Sequence, residues 1–557
     1  MWRRRLRLLI PLAILAGAAA AVVLVLPAGP GAAERHLVTN YVHAWAGGDY
    51  PKMYSLLDPG SRQVITEHAF AAAYRHDATI ATLQRLIPVR VGSRRGVYVP
   101  VRLRVQTRLF GTLRETLEVP LLGTGSSATV QFSRALLFPG LTGRERLSRR
   151  MSLPPRATLL AADGTPLAQG PDRTSPIPAV AEQIAGVLGP IPSTDAAAYA
   201  AQGYPPDARV GQDGLERAFQ TELAGKPGGL LLAGRRVLAQ VSPARGADVT
   251  TTIVPSVETA AIDALGGRFG GIAAMDPRTG ALEALAGIAF SDAQPPGSSM
   301  KIVTSTAALD AGIVKLGTVF PYSTEAVLDG YTLHNANGED CGGTLLNSFA
   351  VSCNSVFAPL GARVGGRRLL EMADRFGFNQ PPAIPGEAES SIPPKSLGSD
   401  LEVGSSAIGQ GQVLATPLEM ADVGATIAMG GKRPLPTLEA HQPPHFVPVT
   451  SGHVAREIQQ MMIAVVQFGT GTAAAIPGVT VAGKTGTAEL QSTTTSTGQS
   501  VPNADQLTDA WFVGYAPVGR VGGPRIVAGA LFPNQGAGGA TAAPAVREVL
   551  VAALEAH

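Results

Sequence analysis

Hydrophobic residues in the first folded part of the chain recur with the spacing of a helix and then with that of a strand. Leu37, Tyr41 and Trp45 lie four residues apart, which is typical of the buried face of an amphipathic helix. From residue 89 to residue 132, apolar and polar residues alternate one by one, as they do in half-buried strands. Helices followed by a curved antiparallel sheet predict a small α+β domain over residues 34–148. We see no convergent polar side chains there, which favours a spacer over a ligand-binding role.

The following region, residues 149–250, is rich in loops and shows little periodicity. Asp163 and Gly164 separate two short apolar runs, a pattern that predicts a hairpin with a tight turn. Gly214 opens a short helical pattern that ends near Gly225. The sequence therefore predicts a second, loop-rich module between the first domain and the rest of the chain.

Runs of apolar residues dominate the last part of the chain, residues 251–557. Two such runs, 271–275 and 281–286, flank a turn and predict a hairpin of buried strands. Near the C-terminus, the runs 511–516 and 526–532 are predicted to be neighbouring strands. Because helical patterns separate these two pairs, we expect an antiparallel sheet that is assembled from distant segments and flanked by helices.

Composition excludes several classes of protein. A chain of 557 residues exceeds what one hydrophobic core organises, so roughly two to four domains are expected. The 45 basic and 42 acidic residues leave a formal net charge of +3, which gives no electrostatic basis for nucleic-acid binding. The two cysteines and nine scattered histidines do not have the spacing of a metal site. We therefore expect no metal, no other cofactor and no nucleic-acid partner.

The N-terminus has the pattern of a membrane segment. Four arginines within the first seven residues precede an uncharged apolar stretch at residues 8–26. At about 1.5 Å of rise per residue, a helix of this length spans most of a hydrocarbon core of ~30 Å. We predict a short cytoplasmic tail and transmembrane anchor over residues 1–27, with the remainder on the extracytoplasmic side of the cell membrane. A cleaved signal peptide is the alternative, although its apolar region is normally shorter, about 7–15 residues.

Ser298 and Lys301 form the first group that can carry chemistry. Ser298 lies in the first turn of a helix predicted over residues 298–311, and the two side chains, three residues apart, share one face of it. A serine hydroxyl needs a neighbouring base to act as a nucleophile, and a lysine can be that base when burial lowers its pKa. Of the seven lysines, only Lys301 has a serine three residues before it. Taken alone, the pair is equally well explained as a helix-capping serine beside a surface lysine.

Ser352 and Asn354, on either side of Cys353, form the second group. In an extended or turn segment, residues two apart can point the same way. A hydroxyl and an amide placed in that manner can relay a proton and hold a substrate amide. Taken alone, the segment is better explained as a loop that hydrogen-bonds to itself.

The third group lies on a predicted strand, where Gly483 and Gly486 flank Lys484 and Thr485 and are followed by Thr487. The glycines let the backbone of a ligand approach closely. Lys484 supplies a positive charge and the threonines supply hydroxyls. The N–H groups of the strand can stabilise an oxyanion.

These three groups, in this order within one domain, resemble the active-site motifs of penicillin-binding proteins and serine β-lactamases. The segments 408–411, 469–472 and 510–516 strengthen the resemblance to the transpeptidase domain of class B penicillin-binding proteins. The family implies an α+β multidomain fold, with a penicillin-binding-protein/serine β-lactamase-like transpeptidase domain over residues 251–557. By the same resemblance, residues 149–250 are a loop-rich pedestal or dimerisation region. Residues 34–148 are similar to the cone-like N-terminal domain of MecA.

The resemblance implies a catalytic role for four residues of the first two groups. Ser298 attacks the carbonyl between the two D-alanines of a stem peptide and releases the terminal one. Lys301 takes the hydroxyl proton. Ser352 relays a proton toward the leaving amine, and Asn354 and Lys301 orient it. An amine from a neighbouring stem peptide then converts the acyl-enzyme into a cross-link, and β-lactams trap Ser298 as a stable ester.

The third group is implied to bind the substrate. Lys484, also expected to be catalytic, would hold the terminal carboxylate together with Thr485 and Thr487, on a strand that Gly486 keeps open. The N–H groups of Ser298 and Thr487 would form the oxyanion hole. The partners implied are nascent or lipid-linked glycan strands carrying stem peptides, β-lactam antibiotics, and a separate glycosyltransferase. The last follows because the roughly 220 residues before the transpeptidase region are accounted for by two small modules.

Two alternative functions stay open at this point. A D,D-carboxypeptidase or β-lactam hydrolase would use the same serine, although the chain has no Glu-x-x-Leu-Asn segment of a class A β-lactamase. A non-catalytic penicillin-binding sensor or scaffold would keep the motifs without the cross-linking reaction. A Ser-His-Asp hydrolase is discarded because no Gly-x-Ser-x-Gly segment is present.

The two cysteines have two possible states. Cys353 lies twelve residues after Cys341 and inside the second group. On the extracytoplasmic side a disulfide would close this loop and contribute ~3 kcal/mol by chain entropy. Two free, buried thiols are the alternative.

Overall fold

The structure is a computed structural model that describes residues 31–489, 508–519 and 522–556. Within these ranges, no helix combines the length and the apolar character needed to cross a bilayer. The anchor predicted over residues 1–27 lies outside the described residues.

Seventeen α-helices are described in these ranges. In chain order they are α1 (Ala32–Ala46), α2 (Tyr50–Ser55), α3 (Pro59–Val64), α4 (Glu67–Ala81), α5 (Pro178–Ile184), α6 (Ala196–Gln202), α7 (Gly214–Ala218), α8 (Gln220–Ala224), α9 (Pro255–Leu265), α10 (Lys301–Asp310), α11 (Leu345–Ala350), α12 (Asn354–Val364), α13 (Gly366–Phe376), α14 (Asp400–Ala407), α15 (Pro417–Ala428), α16 (Gly452–Gln467) and α17 (Ala542–Ala556).

Twenty-three strands are described in the same ranges. They are β1 (Leu83–Val91), β2 (Tyr98–Thr107), β3 (Gly111–Leu122), β4 (Thr129–Val130), β5 (Leu147–Ser152), β6 (Leu159–Leu160), β7 (Pro166–Ala168), β8 (Leu188–Pro190), β9 (Arg209–Gly211), β10 (Gly228–Ala233), β11 (Arg236–Val241), β12 (Val249–Thr250), β13 (Gly271–Asp276), β14 (Ala281–Gly287), β15 (Val319–Ser323), β16 (Glu325–Leu328), β17 (Tyr331–His334), β18 (Cys341–Thr344), β19 (Lys432–Pro434), β20 (Phe446–Pro448), β21 (Ala482–Glu489), β22 (Thr508–Ala516) and β23 (Ile526–Phe532).

The first of two compact units contains the described residues up to Met151, together with Ala201–Gly203 and Gly228–Ser242. Helices α1–α4 precede an antiparallel sheet in the order β1-β2-β3-β4, as the sequence pattern predicts. Strand β2 buries every second residue, and these pack with aromatic side chains of α1 and α4 in one core. The helices run to Ala81, and the first strand begins at Leu83, before residue 89 where the predicted alternation starts.

The second unit contains Ser152–Ala200, Tyr204–Pro227 and the described residues from Pro243 onward. Its main sheet has the order β14-β13-β23-β22-β21, and all neighbouring strands are antiparallel. The predicted hairpin and the predicted C-terminal strand pair therefore join in one sheet, which confirms the expected assembly from distant segments. Strand β21 is an edge of this described sheet.

The main sheet is buried on both faces because its strands alternate between two cores. In β22, Ala510 and Phe512 pack with helices α9 and α17, whereas Trp511 and Val513 pack on the opposite face with α15. Every residue of β13, β22 and β23 is buried. A sheet covered in this way is a rigid support, and it fixes the position of its edge strand β21.

The loop-rich region of this unit is held by a buried carboxylate. The predicted hairpin at Asp163–Gly164 is present as β6 and β7, and β12 runs parallel to β6. Glu216 is only 1% exposed and pairs with Arg156 and Arg173, both at 2.6 Å.

Residues 228–242, inside the predicted pedestal region, belong to the first unit. The domain boundaries given above stay predictions.

Candidate active site

Ser298 lies in a 3-10 turn, Gly297–Met300, directly before α10. The prediction that Ser298 lies in the first turn of the α-helix itself was therefore wrong. Gly297 has a φ of +52°, and its N–H donates to the carbonyl of Gly409 at 3.0 Å. A Cβ atom at Gly297 would lie 2.7 Å from the carbonyl carbon of Thr487. The turn is therefore pressed against β21, which brings the backbone of Ser298 close to that of Thr487.

Lys301 is fully buried below this turn. Its Nζ donates to the carbonyl oxygen of Ser352 at 2.7 Å and to Oδ1 of Asn354 at 2.8 Å, and it lies 3.3 Å from Oγ of Ser352. Burial, together with the positive charge of Lys484, holds the pKa of Lys301 well below its ordinary value. A neutral lysine is able to accept a proton, so this side chain has the properties of a base.

Ser352 connects the two buried lysines. It lies between α11 and α12 with a φ of +66°, a conformation that non-glycine residues seldom adopt. Its Oγ accepts a hydrogen bond from Nζ of Lys484 at 2.9 Å while it stays close to Lys301. The Ser-x-Asn segment is therefore not a loop bonded only to itself, because the two other motifs supply its partners.

The disulfide alternative for the cysteines is the one present in the structure. The sulfur atoms of Cys341 and Cys353 are joined, and the two Cα atoms are 5.9 Å apart. The bond ties the Ser-x-Asn segment to the start of strand β18.

Strand β21 contains the whole third group, Lys484, Thr485, Gly486 and Thr487. The prediction that this group lies on a strand is confirmed. Lys484 is fully buried, and burial lowers its pKa to about 7. The hydroxyls of Thr485 and Thr470 are 2.5 Å apart, and Oγ1 of Thr487 accepts from the N–H of Gly538. A Cβ atom at Gly486 would lie 2.7 Å from Oγ of Ser299, so a glycine is needed for the turn to pack here.

The motifs meet at a cavity of about 420 Å³. Of the predicted site residues, five line it: Ser298, Ser352, Asn354, Thr485 and Thr487. Lys301, Lys484 and Gly486 lie behind this wall, and the lysines reach it through hydrogen bonds to Ser352. The Ser298 hydroxyl is partly exposed and, in the described part of the chain, makes no hydrogen bond. It is therefore available to a ligand in the cavity.

Three residues of the site were not predicted individually. Gln410 and Thr470 line the cavity, and the sequence contained them only as part of segments flanking the motifs. Oriented to satisfy both groups, the Gln410 amide pairs with the backbone N–H and C=O of Glu489, at 2.9 and 3.1 Å. Asn335 is buried, and its Nδ2 donates to the carbonyl of Glu339 in the loop that precedes Cys341. Nothing in the sequence around Asn335 indicates this role.

This arrangement is suited to acyl transfer. It combines an accessible hydroxyl, a buried lysine whose pKa is held well below its ordinary value, and a second hydroxyl bridging to another lysine. The backbone of the turn packs against that of the edge strand, which is where the N–H donors of an oxyanion hole are needed. Among the described residues, no group of three or more His, Cys, Asp or Glu side chains is arranged to hold a metal ion.

Comparison with known proteins agrees with this chemistry. A family model described as "Penicillin binding protein transpeptidase domain" matches residues 270–551, and one described as "Penicillin-binding Protein dimerisation domain" matches residues 153–250. The first match spans more than half of the chain. The chain therefore belongs to the penicillin-binding protein transpeptidase family.

Individual relatives are similar over much of their length. Peptidoglycan D,D-transpeptidase PbpA of Mycolicibacterium smegmatis is 32% identical, over 61% of this chain and 79% of the relative. A D,D-transpeptidase domain from Eggerthella lenta is 28% identical with a TM-score of 0.58, over 72% of this chain and 98% of that one. Penicillin-binding protein A from M. tuberculosis, solved as an imipenem acyl-enzyme complex, is 26% identical with a TM-score of 0.58, over 72% and 99%. The predicted family and fold class are confirmed, whereas the likeness of residues 34–148 to MecA stays a prediction.

Proposed function

We propose that this chain is a peptidoglycan D,D-transpeptidase that cross-links stem peptides through a serine acyl-enzyme. The observation that carries the proposal is the meeting of three sequence motifs at one cavity, with the Ser298 hydroxyl accessible and Ser352 bridging two buried lysines. Two similar proteins support this proposal: one is named a peptidoglycan D,D-transpeptidase, and the other was solved as an acyl-enzyme complex with imipenem.

In the acylation step, Oγ of Ser298 attacks the carbonyl carbon of the penultimate D-alanine. The C–O bond forms as the C–N bond to the terminal D-alanine breaks. Neutral Lys301 removes the hydroxyl proton, and Ser352 passes a proton to the leaving nitrogen. The carbonyl oxygen becomes negative in the transition state and accepts from the N–H groups of Ser298 and Thr487.

The terminal carboxylate of the substrate is held at β21. The charged form of Lys484 attracts it, and the hydroxyls of Thr485 and Thr487 hydrogen-bond to it. A β-lactam carries a comparable carboxylate beside a reactive amide. Its ring opens on Ser298, and because the leaving nitrogen stays attached to the acyl group it blocks the second step.

Membrane attachment is also part of the proposal. The arginine-flanked apolar stretch at residues 8–26 would anchor a single-pass protein in the cell membrane and place the site on the extracytoplasmic side, where peptidoglycan is assembled. We also propose that a separate glycosyltransferase supplies the glycan strands; the family models that match this chain describe a dimerisation domain and a transpeptidase domain.

Labelling with a fluorescent penicillin tests the nucleophile. We expect labelling of the wild-type protein and none of Ser298→Ala. The control is Ser291→Ala, since Ser291 is exposed and outside the motifs, and it should label as the wild type does. Labelling that persists in Ser298→Ala would contradict the assignment.

A second assay separates the proposed reaction from its hydrolytic alternatives. Lipid-linked glycan strands are incubated with the protein and a glycosyltransferase, and the products are digested and analysed by mass. Cross-linked stem peptides support a transpeptidase. Release of D-alanine without cross-links would instead support a D,D-carboxypeptidase, and neither product would support a sensor or scaffold.

A further inference from the structure

A second cavity, of about 400 Å³, lies in the second unit and shares no lining residue with the active-site cavity. Its floor is the start of α15, where Leu418, Glu419 and Asp422 are buried. Arg433 of β19 and residues of the loop 380–390 form its sides. A cavity of this volume is large enough to hold a small molecule.

Two carboxyl groups in the floor of this cavity lack partners. Glu419 and Asp422 are only 7% and 3% exposed. Within the described part of the chain, Oε1 of Glu419 and Oδ1 of Asp422 are buried and accept no hydrogen bond. Buried polar atoms are costly unless a partner satisfies them. Because both residues line a cavity, the missing partner belongs in that cavity.

Gly377 keeps the carboxylate of Glu419 open to the cavity. Gly377 lines the cavity as well, and a Cβ atom there would lie 2.9 and 3.0 Å from the two carboxylate oxygens of Glu419. Gly377 also has a φ of +132°, which residues with a side chain seldom adopt. The space in front of Glu419 is therefore free for a ligand atom.

The charges around this space leave room for one further positive charge. Three carboxyl groups, those of Glu387, Glu419 and Asp422, line the cavity together with a single guanidinium, that of Arg433. Nη1 of Arg433 lies 3.6 Å from Oδ2 of Asp422, and Oε2 of Glu387 accepts from the N–H of Ala383 at 2.8 Å. Burial raises the pKa of Glu419 well above its ordinary value, and the charges of Asp422 and Glu387 add to this rise, whereas Arg433 opposes it. Glu419 is thus the carboxyl group that a cationic ligand would stabilise most.

The chemistry of the cavity selects among cations. In the described ranges, no group of three or more His, Cys, Asp or Glu side chains is arranged to hold a metal ion, and the guanidinium of Arg433 would repel a divalent one. A quaternary ammonium has no N–H donor for the unsatisfied oxygens, and the described lining contains no Phe, Tyr or Trp ring to receive it. A primary ammonium group has three N–H donors on one charged atom, as the lysine side chain does.

We propose that this cavity binds a small organic molecule through a primary ammonium group, with the carboxylates of Glu419 and Asp422 as its acceptors. The carbon chain of the ligand packs on the apolar side chains that line the same cavity, Leu418, Leu435 and Pro436. The inference does not depend on the function proposed above, because it uses none of the residues of the active site.

The test measures binding of three matched probes to the full-length wild-type protein by ligand-observed NMR titration. The probes are n-pentylamine, 1-pentanol and pentyltrimethylammonium, which share one carbon chain. We expect saturable binding of n-pentylamine with a dissociation constant of about 1 mM or lower, and at least about tenfold weaker binding of the other two. Binding of 1-pentanol or pentyltrimethylammonium as tight as that of n-pentylamine would overturn the inference, and so would the absence of saturable amine binding.

A pair of isosteric variants locates the site. Glu419→Gln should weaken binding of n-pentylamine by at least about tenfold. Glu389→Gln is the matched control, because Glu389 lines the same cavity but is exposed, and its effect should stay within about twofold. Equal losses in the two variants would show that the amine is attracted only by surface charge and would overturn the inference.

Penicillin labelling separates this inference from the proposed function. Glu419→Gln should label at Ser298 as the wild type does, which also shows that the variant is folded. Wild-type protein that binds n-pentylamine but does not label would overturn the proposed function and leave this inference standing. The comparison of the three probes uses the wild type alone, so it decides the inference even if a variant does not fold.

Discussion

At the scale of single residues, the site depends on two lysines that burial deprives of water. Lys301 and Lys484 are both fully buried, and each lies about 5.5 Å or less from the centre of a phenylalanine ring. Burial disfavours the charged form of both lysines, and the positive charge of Lys484 lowers the pKa of Lys301 further. Oγ of Ser352 lies within hydrogen-bonding distance of the Nζ atoms of both lysines. Lys301, Ser352 and Lys484 therefore form a continuous chain of groups along which a proton can pass.

Removal of the Ser352 hydroxyl should interrupt this chain. In Ser352→Ala we expect the rate of acylation by penicillin to fall by about 10²–10³-fold, the range typical for loss of a proton-transfer group. The fold should persist, because the hydroxyl lies at the cavity and not in the core. Stopped-flow acylation kinetics with a chromogenic β-lactam measure the rate. Acylation within a few-fold of the wild type would show that Ser352 does not relay the proton.

The pKa of Lys484 predicts a pH dependence for β-lactam binding. Its charged form is lost as the pH rises through about 7, so the attraction for a carboxylate weakens above that pH. We expect the second-order acylation constant, which reports groups of the free enzyme, to fall about tenfold between pH 7 and about pH 8.5. Lys484→Arg keeps its charge over this range, and its profile should lack the fall even if its rate is lower. A wild-type profile that rises steadily above pH 7 would contradict this role.

At the scale of elements, the decisive contact is between the Ser298 turn and strand β21. The turn can pack closely against the strand because each of the two elements has a glycine at the contact. Gly297 lies on the carbonyl of Thr487, and Gly486 lies under Pro296. The carbonyl of Gly409 accepts the N–H of Gly297 and closes the turn from the other side.

Alanine at Gly297 should separate these elements. The substitution imposes about 1–3 kcal/mol of backbone strain at a positive φ and a clash with β21 as well. Gly312→Ala is the matched control, because Gly312 has a φ of +65° but no atoms within 4 Å of an added Cβ. Gly297→Ala should lose at least as much stability in urea denaturation as Gly312→Ala, and only Gly297→Ala should lose penicillin labelling. Equal labelling of the two would show that the contact with β21 is not needed.

At the scale of the whole molecule, the second unit combines the transpeptidase domain with most of the loop-rich region. Glu216 is central to this region because its carboxylate accepts hydrogen bonds from two arginines that lie 60 and 43 residues before it in the sequence. Arg156 also donates to the carbonyl of Glu216, and Arg173 to that of Ala157. One buried carboxylate thus joins three separate segments of a region that has few helices and strands.

Neutralising Glu216 should destabilise this unit strongly. Glu216→Gln leaves two guanidinium groups buried without a counter-charge, for which we expect a loss of about 3–5 kcal/mol in the free energy of unfolding. Glu371→Gln removes an equally short ion pair with Arg367 on an exposed helix face and should cost less than about 0.5 kcal/mol. Chemical denaturation of both variants, followed by intrinsic fluorescence, makes the comparison. Similar losses in the two would show that burial does not amplify the Glu216 interaction.

Much of the fold could be predicted from the sequence because it depends on local periodicity. The hairpin of β13 and β14, the pair β22 and β23, and strand β21 are present where the apolar runs predict them. Boundaries were less predictable. The helices of the first unit extend to Ala81, and Ser298 lies in a 3-10 turn and not in an α-helix, because contacts with β21 and Gly409 set its backbone.

For the active site, the sequence by itself determined which residue types stand in which motif, and hence the reaction class that they resemble. Only the tertiary structure decided how they act together. Lys301 has its hydrogen bonds to Ser352 and Asn354, more than fifty residues away, and the lowered pKa values come from burial by distant segments. The pairing of Cys341 with Cys353 was likewise decided by a tertiary contact, between the start of β18 and the start of α12. Such contacts have no periodicity, so no local pattern in the sequence encodes them.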